Sequence, residues 1–338
     1  MVATKDEFFS ILKIAIDHIT KMQNTACYRE KIEKELYSGA PKEVLEKLDK
    51  AISQKIENEN FSLVSEIKEL DFSGSEKLAQ IQKDSINLAK NFTNSFLQGY
   101  DEHSATMGGR YICSDSFKEL FPSFRNPKDR ALANDAVHNS SAVLGATQFE
   151  KVLKRNENGK TKAVFITGIP GAGKTTFTKG LNSDKIKLIF EGQMANPQTI
   201  IPKIEQCLDK NLEVLIIVLH IKPENALENT FARFNAYGRG GSIEVMSSIQ
   251  GNLPSGLKKL KAHFGEKIEL IAINRDENNR ILTDENEIFD LINIGSKDEI
   301  FTRLQAKLNA DFADAKINEA CFNQADKTRL NSIMSKKI

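Results

Sequence analysis

The first residues in this chain whose types and spacing could do chemistry lie in Lys162–Gly180, KAVFITGIPGAGKTTFTKG. Gly168-Ile169-Pro170-Gly171-Ala172-Gly173-Lys174-Thr175 satisfies the pattern G-x-x-x-x-G-K-[ST], with an apolar strand directly before it and a helix-compatible run directly after. Glycines at these spacings let the backbone curl until successive N–H groups face one anion, and the start of a helix adds partial positive charge. Lys174 is then placed to reach the β- and γ-phosphates and the Thr175 hydroxyl to bind Mg²⁺, with Thr176 continuing the nucleotide-binding run. The cofactors implied are ATP or GTP with Mg²⁺. The loop does not say what the phosphate is moved onto.

Three further side chains have the right chemistry. Leu188-Ile189-Phe190-Glu191 reads as an apolar strand ending in an acid, where such a sheet places a residue beside a metal or an acceptor; the alternative for Glu191 is a solvated carboxylate at a strand end. Arg233 lies in the helical run PENALENTFARFNAYG and Arg239 in the glycine-rich GRGG that follows. An arginine swung over the phosphates stabilises the transferring charge, worth roughly 10³–10⁵ in rate. The alternatives are a helix-surface ion pair for Arg233 and a solvated loop residue for Arg239.

Such residues need a rigid sheet under them, and the pattern from Gly108 onward supplies one. Compact apolar runs at Arg110–Cys113, Ala163–Thr167, Ile186–Phe190, Val214–Leu219 and Ile268–Ile273 alternate with helical segments. This predicts an α/β fold, a P-loop kinase-like parallel sheet flanked by helices, with its site at the carboxyl ends of the strands. Ile300, Leu304 and Leu308 at helical spacing predict C-terminal helices packed on that domain.

Residues 1 to about 100 read instead as an all-α region. Thr4 with Glu7 fits a capping box, and Phe9, Leu12, Ile16 and Ile19 follow at helical spacing. Ser38-Gly39-Ala40-Pro41 punctuates, after which come stripes at Val44, Leu45, Leu48, Ile52 and Ile56, then Phe61, Val64, Ile67 and Leu70, then Leu78 to Phe96. Core packing is the plain reading of these stripes, a face for a partner helix the other. The expected domains are thus 1–100, helical, and 101–338, the P-loop domain.

Composition narrows the class. In 338 residues the net charge is +1, and no Lys/Arg block alternates with aromatics, so neither a nucleic-acid partner nor its electrostatic footprint is indicated. Cys27, Cys113, Cys207 and Cys321 are scattered without a metal-type cluster or disulfide framework, which fits a reducing, cytoplasmic compartment. Lys13 and Asp17 interrupt the N-terminal apolar run, so it is neither a signal core nor a membrane span. Export by a route that reads no N-terminal signal is compatible with this.

From Ala163 to about Arg280 the order of elements resembles the zeta-toxin family of P-loop kinases, which phosphorylate UDP-N-acetylglucosamine. The matching elements are the P-loop, the strand ending in Glu191-Gly192, VLIIVLHIKPENALENTFARF with its arginine, GRGGSIEVMSSIQGNLPSGLKKL with the second, and the strand ending in Asn274-Arg275. After its P-loop helix the family carries Asp-x-Phe-Lys, whose aspartate is the base on the sugar hydroxyl. Here Leu181–Lys185 leave no room for it.

Upstream, however, GGRYICSDSFKELFPSF leads an apolar strand into Ser114-Asp115-Ser116-Phe117-Lys118. A circularly permuted arrangement follows, with Asp115 as general base; the alternative is that Asp115 merely caps the helix SFKELF. The family's Glu-Gly-Thr is Glu191-Gly192-Gln193 here, and a helix acid has only His138, Asn139 and Gln148 as polar counterparts. The resemblance implies a kinase acting on a hydroxyl of a nucleotide sugar or related metabolite, as a toxin or effector. An antitoxin-like helical partner, or cis restraint by residues 1–100, goes with it. The competing classes are a regulatory module with slow NTPase activity and an inactive kinase-derived interaction protein.

Overall fold

The computed structural model describes residues 5–54, 61–181 and 184–326, with side chains from Leu12 onward. The expected capping pair Thr4 and Glu7 and the stripe positions Phe9 and Ile56 lie outside the residues or side chains so described. By compactness the described residues form two units, one of residues 5–32 and 158–326, the other Glu33–Glu157.

Strands are numbered along the chain: β1, Tyr111–Ile112, in the second unit; β2, Lys162–Thr167, β3, Ile186–Glu191, β4, Glu213–His220, β5, Ile268–Asn274, and β6, Arg280–Leu282, in the first. The five strands of the first unit are hydrogen-bonded in the order β3-β2-β4-β5-β6. β2 to β5 run parallel, and β6 turns back antiparallel on β5. This is the P-loop kinase-like α/β fold.

All of β2 is buried, as is β4 from Val214 on, which is why both read as unbroken apolar runs. The exception, Lys162, pairs its buried ammonium with Glu213, directly opposite in the parallel register. Because β3 follows β2 on one side and β4 lies on the other, strand order reverses at the carboxyl end of β2. Crevices at such reversals are where α/β sheets take ligands. β6 is absent from the apolar-run reading. Its turn passes through Asn278 and Asn279 at φ 48° and 60°, left-handed geometry that asparagine tolerates.

The first helix, Lys5–Asn24, belongs to the P-loop unit and buries Leu12, Ala15, Ile19 and Met22. The helix Lys297–Ala313 opens on a capping box, Ser296 with Glu299, and buries Ile300, Leu304 and Leu308 as their spacing predicts. Among the described residues no helix is long and apolar enough to cross a membrane.

The second unit packs helices Lys42–Ser53, Glu76–Asn91, Thr93–Glu102 and His138–Lys154 around Phe96, Tyr100, Phe117 and Phe121. The stripe Phe61, Val64, Ile67 and Leu70 is a correction: that segment is not helical. Side chains take its backbone bonds instead. Gln82 both accepts from Leu70 N and donates to Leu70 O, Thr147 Oγ1 accepts from Val64 N, and Asn139 donates to Lys68 O. Only Ile67 of the four is buried.

Arg130 is the largest buried side chain of this unit at 1% exposure, donating to Phe124 O, Tyr37 O and Arg125 O. Replacing it by methionine keeps bulk but strands three carbonyls. Arg130→Met is expected to lower the unfolding free energy by about 2–3 kcal/mol, read as a shifted urea midpoint at unchanged slope.

Candidate functional site

β2 ends at Thr167 and delivers the chain into the loop Gly168–Gly173, from which the helix Lys174–Lys179 starts. The loop tightens on a bond from Ala172 N to Ile169 O at 3.1 Å. Gly173 is the N-cap at φ 83°, in the left-handed region, where glycine avoids the Cβ penalty. Lys174 Nζ donates to Gly168 O at 2.8 Å and Ile169 O at 3.1 Å, and stands 3.6 Å from Glu191 Oε1.

Glu191 is therefore not a solvated strand end. It is the last residue of β3, in register with Ile166 of β2, and its side chain is 16% exposed. The sheet thus brings the loop lysine and the acid together, a cation and an anion at the place where phosphate charge would arrive.

The elements that bear the two arginines pack against the same loop. The helix Pro223–Tyr237 lies so close that a Cβ on Gly171 would meet Ala226 O, and Asn229 Nδ2 donates to Gly171 O at 3.0 Å. Arg233 is four residues beyond Asn229, on the same helix face. The helix ends on left-handed Gly238, and the GRGG loop then folds back, with Gly241 against Pro170 and Gly240 against Gln324. Arg239 directly precedes these contacts and is half-buried.

Two neighbours of the loop were given no role by the sequence. Arg275, first residue after β5, donates from Nη1 to Ala172 O at 2.8 Å and covers the face of Gly173 where a Cβ would be. His220, last residue of β4, is buried; that burial pushes its pKa down and keeps the ring neutral, while Nδ1 has no hydrogen-bond partner among the described residues. A basic residue at or just past the carboxyl end of a parallel strand is the signal that could have found both.

Asp115 belongs to the second unit. The Tyr100 hydroxyl donates to Tyr111 O at 2.7 Å and accepts from Cys113 N at 2.9 Å, fixing the end of β1. Cys113 is the N-cap of the helix Ser114–Lys118, so Asp115 is not the cap but a first-turn residue. Phe117 stacks on Tyr100 with centroids 3.7 Å apart, which turns the opposite side of this helix outward. Asp115 is half-exposed and its Oδ1 lies 3.0 Å from the buried Lys118 ammonium, which also donates to Asn134. Of the polar candidates on the following helix, Gln148 is spent on Asp101 and Gly109 O, and Asn139 on Lys68 O. His138 is exposed at that helix's start.

No protein-family model matches this sequence, and no curated protein does. Among solved structures, a chain from the characterisation of the PezAT chromosomal toxin–antitoxin system of Streptococcus pneumoniae is similar at 12% identity, covering 81% of this chain and 98% of that one, with a TM-score of 0.37. Values this low leave the function to the site itself.

Among the described residues no group of three or more His, Cys, Asp or Glu gathers to hold a metal. A Mg²⁺ here would rest on the Thr175 hydroxyl and on phosphate and water oxygens, the ligand set that small, hydration-loving ion accepts. Glu191, 3.6 Å from Lys174 Nζ, is a carboxylate the sheet supplies beside the loop.

If Lys174 is the phosphate ligand, Lys174→Met is expected to weaken Mg-ADP binding roughly 10- to 100-fold, the scale of a charge-assisted hydrogen bond. Calorimetric titration measures it, and unchanged affinity would remove Lys174 from the site.

Proposed function

We propose that this chain is a P-loop small-molecule kinase of zeta-toxin type, transferring the γ-phosphoryl group of ATP or GTP to a hydroxyl of a nucleotide-type metabolite. The observation that carries it is the convergence on one loop of Lys174, Glu191 and the two arginine-bearing elements.

In the proposed reaction the acceptor oxygen bonds to the γ-phosphorus as the bond to the β–γ bridging oxygen breaks, and the hydroxyl proton passes to the Asp115 carboxylate. Lys174 and the loop amides neutralise the phosphates, Thr175 holds Mg²⁺, and Arg233 and Arg239 balance the charge in flight. Glu191 positions the metal or the acceptor. UDP-N-acetylglucosamine is the first acceptor to try, and an antitoxin-like helical protein the partner to look for. The circular permutation, and the division of labour at about residue 100, belong to this proposal.

Asp115→Asn is expected to lower phosphotransfer by about 10²–10⁴ while ADP affinity stays within about twofold. Labelled ATP with UDP-N-acetylglucosamine, then with a metabolite extract, reads both the rate and the product. Full turnover in the variant sinks the base assignment, and phosphate release without any labelled metabolite favours a nucleotide-dependent regulatory module.

A further inference from the structure

The helix Lys5–Asn24 touches the phosphate-binding machinery at two places. Its Ala15 and His18 lie against Gly180, the residue that ends the P-loop helix, where a Cβ would stand 2.6 Å from Ala15 Cα. At its last turn, Gln23 Nε2 donates to Arg275 O at 3.3 Å, and Gln23 Oε1 accepts from Asn279 Nδ2 at 2.9 Å. Thr20 Oγ1 takes the same asparagine at 2.8 Å. Asn279 is 2% exposed, so these bonds are made away from water.

Arg275 is thereby held from behind, and its guanidinium holds the loop in turn. A trans peptide is planar, so the Ala172 carbonyl and the Gly173 N–H point in opposite directions. With Ala172 O engaged by Arg275 Nη1 at 2.8 Å, the Gly173 N–H is turned to the other side of the loop, among the amides that face an anion. The chain of contacts runs from Thr20 and Gln23 through the loop after β5 to a phosphate-facing amide.

We propose that the helix Lys5–Asn24 is a brace of the nucleotide site, with Gln23 and Asn279 as positioning residues that act through Arg275 on the P-loop. The helix therefore raises nucleotide affinity and does not restrain the enzyme in cis. This rests on the nucleotide-binding part of the proposed function, and on neither Asp115 nor the acceptor.

The test is calorimetric titration of the full chain with Mg-ADP, alongside thermal melting. Asn279→Gly keeps the left-handed backbone while removing the amide, and Gln23→Met keeps length while removing both bonds. The double variant, and separately Arg275→Met, are expected to bind ADP about tenfold more weakly when titrated well below their melting midpoints. Arg275→Lys, which can still donate to Ala172 O, is expected to recover most of the loss.

Unchanged ADP affinity in the double variant overturns the brace. Tighter binding overturns it in favour of a restraint, and Arg275→Lys as weak as Arg275→Met with a collapsed midpoint overturns it in favour of a purely structural arginine. Wild-type protein that binds no ADP fails the nucleotide reading itself, and the brace with it.

Discussion

A phosphate cradle built from backbone amides has to be gripped from outside, because every N–H turned toward the anion turns its peptide carbonyl away. Those carbonyls are strong acceptors and cannot be left without donors where they are buried. In this protein Gly168 O and Ile169 O take Lys174, Gly171 O takes Asn229, and Ala172 O takes Arg275. The grips come from the helix after the loop, from the helix after β4, and from the segment after β5. Sheet order decides that these three can reach one loop, since β2 sits inside the sheet with β3 on one side and β4 on the other.

The loop, the parallel strands and the C-terminal helix were legible because each has a periodic or compositional signature that survives folding. Glycine spacing before Lys174, buried strands without polar interruption, and Ile300, Leu304 and Leu308 on one face are of this kind. The outer grips were not legible. A side-chain amide meeting a carbonyl, as Asn229 does at Gly171, leaves no repeat along the chain and joins residues 58 apart in sequence. The false helix at Phe61–Leu70 has the complementary cause: helical spacing of apolar residues was present, but Gln82, Thr147 and Asn139 satisfy the backbone without a helix. Periodicity reports a face; it does not report who else offers hydrogen bonds.

β6 shows a middle case. Asn278 and Asn279 both adopt positive φ, and paired asparagines before a short apolar run are a hairpin signal in their own right. The same Asn279 then has a second use, since the left-handed turn that reverses the chain leaves its amide buried against Thr20 and Gln23. A turn residue has become a point of attachment for the first helix. Sequence distance, more than 250 residues, hides this pairing completely.

The frame around Asp115 is held by the same kind of outside support as the loop. Its helix is only five residues long and contributes little stability of its own. It is fixed by burial of Phe117 against Tyr100, by the Tyr100 hydroxyl on both flanks of β1, and by the buried Lys118, tied to Asn134. The carboxylate is left half-exposed on this frame, 3.0 Å from the Lys118 ammonium. A short helix of little intrinsic stability is thus over-determined by its neighbours, and Asp115 is held in one place on it. Burying the Lys118 ammonium is unfavourable unless its partners are in place, and Asp115 and Asn134 supply them together.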